Sequence, residues 1–377
     1  MKGLGAILAR VNRKFKTNLS AVEDDDERTT VAFRTTTGIP QLDLCLGGGL
    51  PCGRVVEISG EEGAGKTTLE TQLISANPGT SILHDVEGTF SAPRASQMGF
   101  DLTRLVYDAL GEESSAETIL DSIEAILSEI PKPVEEGDPL VFFIDSIAAL
   151  MTEQEEAKTT KESVVASLAR VLSRGLKKLS KRLSMTRASL VVINQLRDKI
   201  DAGPAAYGKQ QDSVGGRALK FYSSVRLFLT VVKRIVRKRT VKLPDGSKTL
   251  SEVEGVKVKI KAIKNKVFRP FLECEFALYF DDRGIDWGEG LVEFLIRYGV
   301  LVGRKGSTAY TLHPLAIEAA PELAEIGEMK PAEVVEVAQA DETYEPLMRA
   351  ALAVLSAGRD ASVEGATVED EEPTEDE

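Results

Sequence analysis

Histidine and cysteine are scarce in this 377-residue chain, which has only His84, His313, Cys45, Cys52 and Cys274 of the two types. Two distant histidines cannot build a His-rich metal site or a catalytic pair of imidazoles. The cysteines make no C-x-x-C pair and no zinc spacing, which points to free thiols in an intracellular, cytoplasmic protein rather than a disulfide framework. No apolar run approaches the ~20 residues that span a bilayer. Lys2, Arg10, Arg13, Lys14 and Lys16 punctuate the N-terminal apolar residues, so that segment does not read as a secretory leader. Internal repeats are absent as well. Hydrophobic residues at 42% still suffice for one large core domain with one or two small units attached.

The net charge of −12 argues at first sight against a nucleic-acid partner. Its distribution reverses that. Residues 318–377 hold 18 acids and 3 bases, a net of −15, which leaves +3 on residues 1–317. Within these, Arg217–Arg269 holds 16 bases against 3 acids. Such a block is an electrostatic footprint for polyanions, or else a solvated lysine-rich sheet face.

Periodicity divides the chain. Leu4, Ile7, Leu8, Val11 and Phe15 recur at helical spacing, and a strand-like run Thr30–Phe33 follows; together they make a small N-terminal unit, 1–37. From 38 to 270, apolar strand candidates Val55–Ser59, Ser81–His84, Leu140–Asp145 and Leu190–Asn194 alternate with helical stretches. This predicts an α/β core with a mostly parallel, doubly covered sheet. A basic strand around Val231–Val241, a turn at Pro244–Gly246 and alternation over Val256–Ile263 predict a hairpin at its end. Residues 271–357 read as a small C-terminal α/β domain. From 358 to 377 the chain reads as an acidic disordered tail; its last eighteen residues hold nine acids and no base.

The strongest motif is Gly60-Glu61-Glu62-Gly63-Ala64-Gly65-Lys66-Thr67, which matches G-x-x-x-x-G-K-[ST]. It follows an apolar strand and opens a helix, the context the motif requires. Glycines let backbone N–H groups curl around phosphate oxygens, and the helix N-terminus favours their charge. Lys66 would reach the β- and γ-phosphates of ATP, and the Thr67 hydroxyl would ligate Mg²⁺. Asp145 ends the run Leu140–Ile144, at the strand tip where ligands bind in open α/β sheets, and would hold Mg²⁺ through its water shell. Hydrolysis also needs a group to activate water. Glu87, after the strand Ser81–His84, is a candidate; a solvated loop acid is the competing reading. Gln195, ending the fourth strand, could sense a γ-phosphate or merely terminate the strand.

These residues, with Gly38–Asp43, Gly47–Pro51, Gly60–Thr68, Asp145–Leu150, Asn194–Arg197, Gly215–Tyr222 and Lys264-Asn265-Lys266, resemble the bacterial RecA recombinases from the N-terminal helix to about residue 300. The resemblance implies a RecA-like P-loop ATPase core that forms a helical filament of identical copies on single-stranded DNA, tests pairing against double-stranded DNA and hydrolyses ATP. It implies that Glu87 activates water, that Gln195 couples the γ-phosphate to a DNA-binding loop, and that Lys264 and Lys266 reach a neighbour's ATP. It also implies that the N-terminal helix packs on an adjacent protomer, so that an isolated monomer is a poor ATPase. Where the family often stacks a tyrosine on adenine, this chain offers Arg94.

Two DNA-binding loops are implied, around Ala157–Val165 and Ala202–Val214. Lys158, Lys161, Lys209 and Arg217 would meet phosphates; Val164, Val165 and Tyr207 would wedge between base steps; and Arg170, Arg197, Gly215 and Gly216 would also belong to the DNA-binding surface. Arg304, Lys305 and Tyr310 would fit a unit that gathers duplex DNA, restrained by the acidic tail. Two other readings keep the fold: a ring-shaped helicase or motor, against which Lys264–Lys266 and the N-terminal helix argue, and a filament scaffold that promotes self-cleavage of a repressor.

Overall fold

In a computed structural model, the structure describes residues 10–14, 31, 33–108, 115–130, 138–156, 167–198, 211–213, 216–243, 246–303 and 308–358. The strands are β1 (Arg34–Thr35), β2 (Leu50–Pro51), β3 (Val55–Gly60), β4 (Thr80–Asp85), β5 (Leu105–Asp108), β6 (Leu140–Asp145), β7 (Ala188–Asp198), β8 (Gln211–Ser213), β9 (Val225–Leu243), β10 (Gly246–Asn265), β11 (Glu273–Tyr279), β12 (Ile285–Asp286), β13 (Leu301–Val302) and β14 (Thr311–Leu312). Nine of them form one path in the order β12-β11-β10-β9-β3-β7-β6-β4-β5, with β8 beside β7. From β9 to β5 the neighbours are parallel; from β9 to β12 they are antiparallel. A large, mostly parallel sheet covered by helices is therefore the architecture, as the alternation of strands and helices predicts.

Both faces of the parallel half are dry, which explains its near-continuous apolar strands. Val56, Ile58, Val141, Phe143, Val191 and Ile193 point to one core, while Val55, Phe142, Ile144, Leu190 and Val192 point to the other. Helices Ala116–Glu129 and Ser167–Leu183 cover the second face. The first is covered by Pro40–Leu46, Lys66–Ala76, Gly288–Arg297 and Asp341–Ala357.

The differences from expectation lie in short or late elements. Among the described residues the strand near the N-terminus is Arg34–Thr35, which pairs with Pro51 and Leu50; of the expected run Thr30–Phe33, Thr30 and Ala32 lie outside them. Strand β5, Leu105-Val106-Tyr107-Asp108, lies at the sheet edge with Val106 and Tyr107 exposed, and at four residues it is too short to stand out in the sequence. The expected hairpin begins earlier and is longer, with strands of 19 and 20 residues. The sheet runs on through β11 and β12 to Asp286, and its core is shared with the helix Asp341–Ala357. We therefore propose the core as 38–286, with 288–357 packed on it. Of the predicted N-terminal stripe only Val11 is among the described residues, within a helical stretch at 10–14; the expected tail, from residue 359, lies outside them.

Asp43 ties these parts together. Its carboxylate accepts from the Thr37 amide (2.8 Å) and the Thr36 hydroxyl (2.7 Å), and Tyr344 of the C-terminal helix bonds to it. Burial pushes its pKa up to about 6, because the hydrogen bonds offset only part of the desolvation. A raised folded-state pKa means stability that is complete below the unfolded value and lost as pH rises through the folded one. The unfolding free energy of the wild type relative to Asp43→Asn should therefore fall by about 2 kcal/mol between pH 4 and pH 7, a trend that paired urea titrations across that range would reveal.

Candidate nucleotide and catalytic site

Strand β3 delivers the phosphate loop. Gly60 ends the strand so close to β9 that a Cβ would meet the Leu229 carbonyl oxygen at 2.4 Å. Gly65 opens the helix Lys66–Ala76 with φ +81° and no side-chain cap, leaving first-turn N–H groups free for an anion. Lys66 folds over the loop, its Nζ donating to the carbonyls of Gly60 (3.2 Å) and Glu61 (2.8 Å). Glu61, Glu62 and Gly63 are exposed, while Ala64 is buried beneath the loop.

The parallel register brings the acids to the same edge. Asp85 of β4 is level with Asp145 of β6, and Gly60 of β3 is level with Gln195 of β7. Thr67 Oγ1 donates to Asp145 Oδ2 at 3.0 Å, so the two hard oxygen donors suited to Mg²⁺ stand together. Their chemistry fits that ion, with Thr67 and Asp145 as the residues that would hold it. Burial, with Glu87 and Asp85 nearby, pushes Asp145 up to about 6 despite the Thr67 hydrogen bond.

Glu87 is exposed at the mouth of this cluster. Its Oε1 accepts from Gln195 Nε2 at 2.6 Å and from the Ser146 hydroxyl. Its backbone N–H and that of Val86 donate to the Asp145 carbonyl, at 3.2 and 2.7 Å. Glu87, Gln195, Asp145 and Thr67 thus form one connected group beside Lys66.

Next to it lies a cavity of about 260 Å³ whose lining includes Thr67, Thr68, Phe90, Arg94, Met98 and Phe100. A flat aromatic base continuing from the phosphate loop would enter here, with Arg94 at its edge. Phe90 stacks on Tyr107 at 5.6 Å, and the Tyr107 hydroxyl donates to Asp85 at 3.0 Å, which fixes the pocket's wall to the acid cluster.

Lys264 and Lys266 lie elsewhere. Asn265 pairs with Val225, and Val225 pairs with Val56 at the start of β3, whereas the phosphate loop follows Gly60. At about 3.3 Å per residue the pair sits about 13 Å down the strand from its own loop, at the opposite edge of the sheet. Lys264 Nζ donates to the Lys220 carbonyl at 2.6 Å, and Lys266 stands over the Phe221 ring at 5.8 Å. Burial, then Lys266 and Arg226, lowers the Lys264 pKa.

Of the expected DNA contacts, Lys158, Lys161, Val164, Val165, Tyr207, Lys209 and Gly215 lie outside the described residues. So do Arg304 and Lys305; Tyr310 packs against the main core. Arg197 is on β7, and Gly216 and Arg217 open the helix Gly216–Tyr222. Arg170 is exposed on the helix Ser167–Leu183, beside a cleft toward Glu117. Glu155 joins the two sides of the first expected loop, accepting from the Thr152 amide (2.8 Å) and the Ser167 hydroxyl (2.8 Å).

Three participants escape a reading by motif. Ser146 directly follows Asp145, and its position was the only available clue. Asp85 is the strand-end counterpart of Asp145. Glu70 sits one turn after Lys66, an acid among apolar Leu69 and Leu73, fully buried. Burial and the adjacent Asp145, to which it is hydrogen-bonded, hold Glu70 well above the usual carboxylate range. Burial thus favours the proton on Glu70 within that carboxyl pair.

A glycine-rich loop between a strand and a helix, with a hydroxyl and a strand-tip aspartate beside it on a parallel sheet, defines a P-loop nucleotide-binding protein. The model of the RecA N-terminal domain matches residues 2–286. Proteins named Protein RecA from Chlorobaculum tepidum and Streptomyces venezuelae are each 33% identical to this chain. The first match covers 80% of this chain and 81% of the relative, the second 82% and 75%. That from Chlorobium limicola is 36% identical, over 72% of this chain and 71% of its own. The chain belongs to the RecA family, the recombinases of DNA recombination and repair. Among the described residues no helix is long and apolar enough to cross a membrane.

The Glu70–Asp145 pair makes a direct test of the buried cluster. Glu70→Gln keeps a donor toward Asp145 and should stay within about 1 kcal/mol of wild type, while Glu70→Ala should cost about 2–4 kcal/mol. Equal losses in guanidinium unfolding would show that the hydrogen bond is immaterial.

Proposed function

We propose that the chain is a DNA-dependent ATPase that uses ATP and Mg²⁺, polymerises on single-stranded DNA in the cytoplasm and pairs that strand with a homologous duplex. The observation that carries this reading is the hydrogen bond between Gln195 and Glu87. Gln195 lies on the strand β7, which precedes the second expected DNA-binding loop, Ala202–Val214. A change in that loop would pull on the group that holds the catalytic acid.

Each side chain has a task that its position supports. Backbone N–H groups of the loop 60–67 and Lys66 would bind the phosphates. Thr67 and Asp145 would hold Mg²⁺, which would supply neutralisation of the phosphate charge. Glu87 would accept the proton of the attacking water, with Ser146 fixing its orientation. The Gln195 amide carries two N–H groups, so one would meet a phosphate oxygen while the other stays on Glu87. Arg94 would lie over or beside the base. The placement of Lys264 and Lys266 at the far edge favours service to a neighbouring copy, and hence a polymer over a lone enzyme. The expected loops, with Lys158, Lys161, Val164, Val165, Arg170, Arg197, Tyr207, Lys209, Gly215, Gly216 and Arg217, would take the single strand.

ATP hydrolysis with and without single-stranded DNA tests this reading. Turnover should rise strongly with DNA. Glu87→Gln should lower kcat by about 100-fold or more with nucleotide affinity retained, whereas Lys66→Ala should lose both binding and turnover. DNA-independent turnover in the wild type would instead favour a motor or signalling ATPase on the same fold.

The shared site has its own test. Lys66→Ala and the double variant Lys264→Ala/Lys266→Ala should each be inactive, and a mixture of the two should regain turnover at boundaries where an intact loop meets an intact lysine pair. No recovery on mixing would place the lysines outside the reaction.

A further inference from the structure

The cavity beside the phosphate loop has walls of two kinds. Phe90, Met98 and Phe100 give it an apolar side, and the last two belong with Ala95 to one buried cluster. The other side carries the hydroxyls of Thr68, Thr71 and Ser91 and the guanidinium of Arg94. The apolar side can take the face of any base. Only the polar side can tell one base from another.

What that polar side offers is mostly donors. An arginine has N–H groups and no acceptor, whereas a hydroxyl can act either way. Thr71 Oγ1 already donates to the Thr67 carbonyl at 2.8 Å, and Ser91 Oγ accepts from the Arg94 amide at 3.4 Å. Among the described residues no acid and no side-chain amide lines the cavity. The carboxylates nearby are occupied. Asp85 accepts from the Thr89 and Phe90 amides and the Tyr107 hydroxyl. Asp281 lies in the turn whose Gly284 is packed so closely that a Cβ would meet the Met98 carbonyl oxygen at 2.9 Å, and it accepts from Arg283 at 2.7 Å. Arg94 differs: it is exposed, and among the described residues it meets no acid.

Purines differ at the edge that such a group would meet. Adenine carries an amino donor at its 6-position and an acceptor at N7, whereas guanine has acceptors at both O6 and N7. A guanidinium fork can give two parallel N–H bonds to O6 and N7. Against adenine, one prong of the same fork faces an amino group.

We propose that this nucleotide site takes GTP as a substrate alongside ATP, and that Arg94 sets the preference by donating to O6 and N7 of guanine. This rests on the ATPase reading, because the phosphate loop and Glu87 would serve either nucleotide alike. The reaction is the same hydrolysis. The water oxygen bonds to the γ-phosphorus and its proton passes to Glu87. The bond from that phosphorus to the β–γ bridging oxygen breaks, its electron pair stays on GDP, and inorganic phosphate leaves.

The test assays the full chain with GTP, ITP and ATP in the presence of single-stranded DNA and Mg²⁺, with kcat and KM separated. In the wild type kcat/KM for GTP should be at least equal to that for ATP. ITP, which keeps O6 and N7 but lacks the 2-amino group, should match GTP within about threefold. 7-Deaza-GTP, which lacks the N7 acceptor, should lose about 5-fold or more, through KM rather than kcat. Arg94→Gln presents an acceptor to N6 and a donor to N7, and should move the GTP-to-ATP ratio of kcat/KM about 10-fold toward ATP. Arg94→Lys keeps only donors and should keep the guanine preference. Each ratio is read within one sample, so partial unfolding of a variant cancels. A wild type that prefers ATP would overturn the proposal, and so would a ratio that Arg94→Gln leaves unchanged, since the guanidinium would then lie on the face of the base and not at its edge. Displacement of a fluorescent nucleoside diphosphate by GDP or ADP reads the same preference without turnover. Failure of the wider reading therefore looks different: hydrolysis that DNA does not stimulate with either nucleotide, while the displacement assay still reports the base preference.

Discussion

The parallel register of β4, β6, β7 and β3 is the constraint on which the site depends. It sets Asp85 level with Asp145, Ile144 level with Val192, and Gly60 level with Gln195. A slip by one residue in any strand would turn its inward side chains to the other face and move the tip by one residue. Both faces are dry, so such a slip would also misplace Phe142 and Phe143 between the two cores. Packing thus fixes the chemistry: the apolar middle of each strand determines where its polar last residue stands.

The acids so assembled repel one another, and the structure answers with protons and donors. Asp145 takes hydrogen bonds from Thr67 and Glu70, Asp85 from the Thr89 and Phe90 amides and Tyr107, and Glu87 from Ser146 and Gln195. A deeper network under β3 follows the same rule: Glu57 is fully buried and accepts from Asn194 (2.9 Å) and Arg226. Asn194 and Gln195 are adjacent on β7, so one strand serves both networks, one on each face.

Much of this was legible in the sequence, and the reasons are local. The phosphate loop is a contiguous motif, and the strands ending at Ser59, His84, Asp145 and Asn194 announce themselves because burial on both faces makes them continuously apolar. Glu87 and Gln195 could be placed at strand tips, but their hydrogen bond joins residues far apart in sequence and has no local signature. Glu70 was hidden because a buried acid on a helix face looks like a surface residue until its neighbours are known. The proposed move of the core's end from 270 to 286 has a related reason. Strand β11, Glu273–Tyr279, alternates half-buried and buried residues and resembles any two-sided strand, so nothing local assigns it to the main sheet.

The separation of Lys264 and Lys266 from their own phosphate loop has a consequence for populations rather than single molecules. A contact that joined one edge of a copy to the opposite edge of the next would be heterologous, so a polymer built through it would have distinct ends. One terminal loop would always lack its lysine pair. Turnover per molecule would then climb with the length of the polymer and level off once the unfinished end became a small fraction, and short assemblies would idle even when saturated with nucleotide. Length would act as a throttle that needs no regulator.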